Sequence, residues 1–160
     1  MELELKHLAP YLPYGLEVEY LFQTIVGNIE KRKSLLLGMS AQVKVATALL
    51  SRVDKNNNVI SSVFSTQIKE IKPILHPLSD LTKEIKHNGE MFCPYTLLEI
   101  DSSIVDFVSA NNQPIIRLVD CEFIYAIDVY NNIINKLFEW HFDVFNLIPN
   151  NLAIDINTLK

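Results

Sequence analysis

Hydrophobic and polar positions alternate with a period of two through much of the first third of the chain. "LEVEYLF" sets Leu16, Val18, Tyr20 and Phe22 on one face against Glu17 and Glu19 on the other, as a half-buried strand does. "SLLLGMS" repeats the pattern with Leu35, Leu37 and Met39. "QVKVATALL" does so with Val43, Val45, Thr47 and Leu49. "DKNNN" at 54–58 carries residues that tolerate left-handed backbone, so it predicts a hairpin turn into a fourth strand from Val59 to Phe64. Brief connections between short strands predict an antiparallel β meander or a small SH3-like barrel over about 16–64.

The period then changes. "LAPYLPYG" at 8–15 has the PxxP spacing that favours polyproline II, and reads best as an arm packing Tyr11 and Tyr14 on the core. Pro73 and Pro77 each remove a backbone donor and restrict the residue before them, so 72–78 must be extended or turned. Ser79 as an N-cap, Leu81 and Ile85 four apart, and Asn88–Gly89 as a stop predict a short helix behind that elbow. "EMFCP" predicts a short strand and Pro94 a helix start. "IVDFVS", "IIRLV" and "EFIYAI" read as strands, with "ANNQP" as a turn. Ile133, Ile134, Leu137, Phe138, Trp140, His141, Val144 and Phe145 form a broad apolar stripe, which predicts a long C-terminal amphipathic helix over about 131–146. "LAIDINTL" closes as a short strand or ordered tail. The expectation is one α+β domain over 1–160, β-rich over about 1–72 and mixed over about 73–160.

Composition fits that outline. The chain has 160 residues, 49% hydrophobic and 21% charged, the profile of an ordinary globule. Its apolar runs are far short of the roughly 20 residues a membrane span needs, and "MELELKH" lacks a basic-then-apolar leader. Cys93 and Cys121 have no CxxC spacing and read as reduced thiols in a cytoplasm. Charge is uneven: 11 Lys/Arg face 9 Asp/Glu through Gly89, then 3 face 10. Phosphate neutralisation needs Lys and Arg, so nucleic acid is not an expected partner.

Candidate chemistry is sparse. The four glycines cannot build a phosphate-cradling loop, and GxSxG and HExxH are absent. Residues two apart on a helix point about 160° from each other, so His141 cannot share a ligand face with Glu139 and Asp143. Asp101, Asp106, Asp120, Glu122 and Asp128 have no calcium-loop spacing, and no metal or cofactor is expected. The candidate ligand- or partner-binding residues are Lys31, Arg32 and Lys33 in "EKRKS", with Arg117 and His141.

Four strings carry a resemblance: "KHLAPYLPYGL" (6–16), "KPILHPLSDLTKEI" (72–85), "EWHFDVFNLI" (139–148) and "LAIDINTL" (152–159). Together the chain resembles a group of small proteins encoded by phages, prophages and mobile elements of Bacteroides-type gut bacteria. The resemblance implies a context, a bacterial host cytoplasm and a mobile gene, and carries over no functional residue. The expected function is a non-enzymatic accessory protein binding a host protein or a signalling nucleotide, with counter-defence as one version. Alternatives are a minor virion or assembly protein, or an enzyme with an acidic site of unfamiliar pattern. Self-association is expected as well, because middle strands leave edges to cover.

Overall fold

The computed structural model describes residues 1–24, 26–42, 45–53, 59–98, 105–110, 113–118 and 123–159. The chain is α+β, mostly antiparallel sheet with short helices, and divides into two compact units. The first comprises Met1–Leu75 with Phe145–Lys160, the second His76–Val144.

The first unit opens with α1 (Leu5–Leu8) and a 3-10 turn over Ala9–Tyr14. The PxxP segment is therefore a 3-10 turn rather than polyproline II, closed by Gly15 at φ 69°. The arm does bury Tyr11, whose ring meets Phe145 edge-on at 6.4 Å. Strands β1 (Glu17–Gln23), β2 (Ile29–Gln42), β3 (Val45–Val53) and β4 (Val59–Gln67) form the expected antiparallel meander. The turn proposed at 54–58 lies outside the described residues. Beyond a 3-10 turn over Ile68–Glu70, β5 (Ile71–Leu75) pairs antiparallel with β1, so the first proline of the elbow sits in an extended strand as required.

One face of this sheet differs from the periodic reading. Alternation from Leu35 predicts Leu35, Leu37 and Met39 inward, yet Leu36 is the buried residue, opposite buried Leu50, and Leu37 lies outside. The register steps from Leu36↔Leu50 to Gly38↔Leu49, so Leu37 is the extra residue of a bulge. On β3 the core residues are Ala48 and Leu50, while Leu49 is exposed. Three consecutive leucines offer an apolar side chain to either face, and a shift of one residue exchanges the faces.

In the second unit the segment expected as a capped helix is a hairpin. After a 3-10 turn at Leu78–Asp80, β6 (Ile85–His87) pairs antiparallel with β7 (Glu90–Phe92). Asn88 and Gly89 have φ of 50° and 88°, the two left-handed positions of a type I′ turn, which Asn-Gly supplies at least cost. Leu81 and Ile85 are buried all the same. Next come α2 (Pro94–Leu97), started by its proline, and the hairpin of β8 (Val105–Ala110) with β9 (Gln113–Leu118).

The helix α3 spans Phe123–Glu139. Two expectations change here: "FIYAI" at 123–127, read as part of a strand, lies in this helix, and the helix predicted over 131–146 ends at Glu139. Spacings of three and four residues run back from Trp140 through Leu137, Ile133, Val129 and Ala126, so one periodic pattern spans both segments. The stop is a Schellman arrangement: the His141 N–H donates to the Phe138 carbonyl at 3.1 Å and the Phe142 N–H to the Leu137 carbonyl at 2.8 Å. His141 takes the left-handed conformation, φ 57°, a place usually given to glycine. Leu81, Ile85, Ile133, Leu137, Trp140 and Phe142 form the buried cluster of this unit.

The chain returns to the first sheet at β10 (Ile154–Asp155), which pairs parallel with β5. The order β10-β5-β1-β2-β3-β4 leaves two ends, so among the described residues the sheet is open and not an SH3-like barrel. No helix among the described residues is long and apolar enough to cross a membrane.

Candidate binding groove

The outer face of the first sheet carries a groove of about 950 Å³. Its floor follows from strand alternation: Val18 and Tyr20 point inward, leaving Glu19, Leu21 and Gln23 of β1 facing out. Neighbouring β2 contributes Ile29 and Lys31, and β5 contributes Lys72. Leu21 and Ile29 are 60% and 69% exposed. The return of the chain to β10 builds the opposite wall from Ile148, Asn151, Ala153 and Ile154. Two left-handed asparagines, Asn146 at φ 62° and Asn151 at φ 57°, turn that segment back toward the sheet.

Glu19 is the electrostatic centre of the floor. It stands opposite Lys33 in one register and Lys72 in the other, and its carboxylate pairs with Lys31 at 2.9 Å. Lys72 donates from Nζ to Asn151 Oδ1 at 2.8 Å. Glu70 accepts from the Thr66 hydroxyl at 2.7 Å, and Asp155 accepts from the Asn157 N–H at 2.9 Å. The surface is thus a mixed one, with exposed apolar side chains between partly satisfied charges.

Of the residues expected from sequence, Lys31 lines the groove and half-buried Lys33 follows it on the same strand face. Arg32 turns to the other side, ion-paired with Glu30 at 2.9 Å and stacked 3.9 Å over the Phe22 ring. Arg117 and His141 belong to the second unit. Arg117 lies in β9 opposite Asp106 of β8, and His141 closes α3 while its carbonyl accepts from the His76 N–H at 2.8 Å. Asp101, Asp120, Glu122 and Cys121 lie outside the described residues. Among the described residues no three His, Cys, Asp or Glu side chains gather closely enough to hold a metal.

The sequence reading missed Leu21, Ile29, Lys69 and Lys72. One signal was available: Leu21 is an apolar residue on the strand face that otherwise shows Glu17 and Glu19.

In the second unit, the His87 ring meets His141 edge-on at 5.1 Å. Burial lowers the His87 pKa below its ordinary 6.5, and the Glu139 carboxylate partly opposes that shift. The folded state therefore favours neutral His87, and the unfolded chain takes up the proton first as pH falls. Stability from this residue is complete above about pH 6.5 and declines as the pH drops through that value. Urea midpoints measured between about pH 5 and pH 8 should show this decline, and His87→Gln should flatten it.

Comparison with protein-family models, with curated proteins and with solved structures finds no match to this chain.

Proposed function

We propose that the chain is a non-enzymatic accessory protein of a phage or mobile element, acting by binding a host protein through the groove of the first unit. The observation that carries this reading is the exposure of Leu21 and Ile29 in a concave surface of about 950 Å³ edged by lysines. Apolar area held in water is unfavourable by roughly 25 cal/mol per Å², which a covering partner would recover. The resemblance to proteins of phages and mobile elements supports a host target, with counter-defence as a concrete form. A signalling nucleotide is less well supported, because Tyr20 is the sole aromatic among the described residues that line the groove and at 5% exposure offers no stacking face.

Tagged protein incubated with lysate of a Bacteroides-type host should recover a stoichiometric partner. The double variant Leu21→Asp/Ile29→Asp should lose it while keeping its melting temperature, since both side chains are exposed. No partner, or equal recovery by the variant, would refute the reading.

A further inference from the structure

The chain contains one Asn-Gly step, Asn88–Gly89, and the fold sets it at the tip of the β6–β7 hairpin with both residues exposed. Asparagine followed by glycine carries a reaction of its own. The Gly89 nitrogen, losing its proton to hydroxide, attacks the Asn88 side-chain carbonyl, and a glycine has no side chain to screen that nitrogen. The N–Cγ bond forms, the Cγ–Nδ2 bond breaks, and Nδ2 takes a proton from water and leaves as ammonia. Water then opens the five-membered imide at either carbonyl, which leaves an aspartyl or an isoaspartyl linkage at position 88.

The turn governs whether this ring can close. The φ values of 50° and 88° are the type I′ pair, for which ψ at the first position is about +30°. At that angle the Gly89 nitrogen lies nearly opposite the Asn88 Cβ across the Cα–C bond, so Cγ cannot reach it. Closure needs the two eclipsed, a rotation of about 150° from the turn's ψ. The pairs Ile85↔Phe92, Lys86↔Met91 and His87↔Glu90 forbid that rotation while they stand. Crowding is not the obstacle, since a Cβ built on Gly89 would meet nothing within 4 Å. We infer that Asn88 is a self-deamidation site, held shut by the type I′ turn and released when the hairpin opens. The isoaspartyl product routes the main chain through the side chain and adds a methylene to a two-residue loop. That loop no longer fits type I′ geometry, so modification loosens the strand that holds Ile85, 4% exposed, in the buried cluster of this unit.

The test holds the full chain at neutral pH and physiological temperature beside a synthetic peptide of residues 85–92. Conversion at Asn88 is followed by peptide-mapping mass spectrometry, with the isoaspartyl form resolved by chromatography. The peptide should convert at least about tenfold faster than the folded chain, and the chain in denaturing urea should match the peptide. Ile85→Val, which trims the hairpin's anchor and keeps the fold, should speed conversion about two- to tenfold. Met91→Ala, exposed on the same hairpin, should leave the rate unchanged. Converted protein, separated from the rest, should have a lower urea midpoint. Conversion of the folded chain at the peptide's rate would overturn the inference. So would an Ile85→Val rate no faster than the parent's, no conversion in either folded protein, or converted protein with an unchanged midpoint.

Discussion

Leu36→Asp should unfold the first unit, whereas Leu37→Asp, one residue along, should leave it intact. Leu36 is 2% exposed and lies opposite Leu50, itself fully enclosed. A carboxylate there loses its water and gains no cation, so it must either stay charged in an apolar core or fold in its protonated form. Either course costs several kcal/mol, and more than about 4 kcal/mol is a large part of a domain's whole stability. Leu37 is the bulge residue, 51% exposed, and a charge placed there remains in water; its effect should stay within about 0.5 kcal/mol. Thermal melts followed by far-UV circular dichroism would separate the two variants. The reverse order of damage would mean that β2 turns its other face to the core, as simple alternation from Leu35 suggests.

Phe142→Ala should cost about 3–5 kcal/mol and loosen the end of α3. Phe142 is 0% exposed and packs in one cluster with Leu81, Ile85, Ile133, Leu137 and Trp140. Removing the ring leaves a cavity among side chains drawn from a hairpin, a turn and a helix, which cannot all close upon it. The same residue completes the helix stop: its N–H caps the Leu137 carbonyl, and its contact with Leu137 is the apolar pairing that accompanies such a stop. Its ring also lies 5.5 Å from that of His76, in a parallel bridge held by two backbone bonds. Chemical denaturation gives the stability loss, and amide exchange at His141 and Phe142 should report the freed turn. Met91→Ala, at an exposed hairpin position, serves as the control and should stay within about 0.5 kcal/mol. A Phe142→Ala loss no larger than the control's would mean the cluster is not the core of this unit.

The candidate groove was only partly legible before the fold was known. Lys31 stands in the charge-rich string "EKRKS", but no local pattern sets Lys69 and Lys72 apart from other lysines of the chain. What gives them a shared surface is the pairing of β5 with β1 on one side and with β10 on the other. Ile74 and Ile154 are partners across half the length of the chain, and no local pattern encodes such a contact. The acid partners behave likewise. Nothing in "LEVEY" says that Glu19 would be engaged by Lys31 while Lys72 would be left to an asparagine.

By themselves, the residues determined where strands form over most of the first unit, that 72–78 is extended or turned, that Pro94 starts a helix and that 152–159 holds a short strand or ordered tail. Each rests on something local: period-two alternation, the fixed φ of proline, or a missing donor. Tertiary structure decided which face of "SLLLGMS" is core, because leucine on both sides leaves the choice to the bulge and to Leu50. It decided that Asn88–Gly89 turns a hairpin and does not end a helix, since both uses need the same left-handed backbone and only the pairing of Ile85 with Phe92 separates them. It also decided that α3 stops at Glu139, where enclosing Phe142 beside Leu137 outweighs the strain of a left-handed histidine.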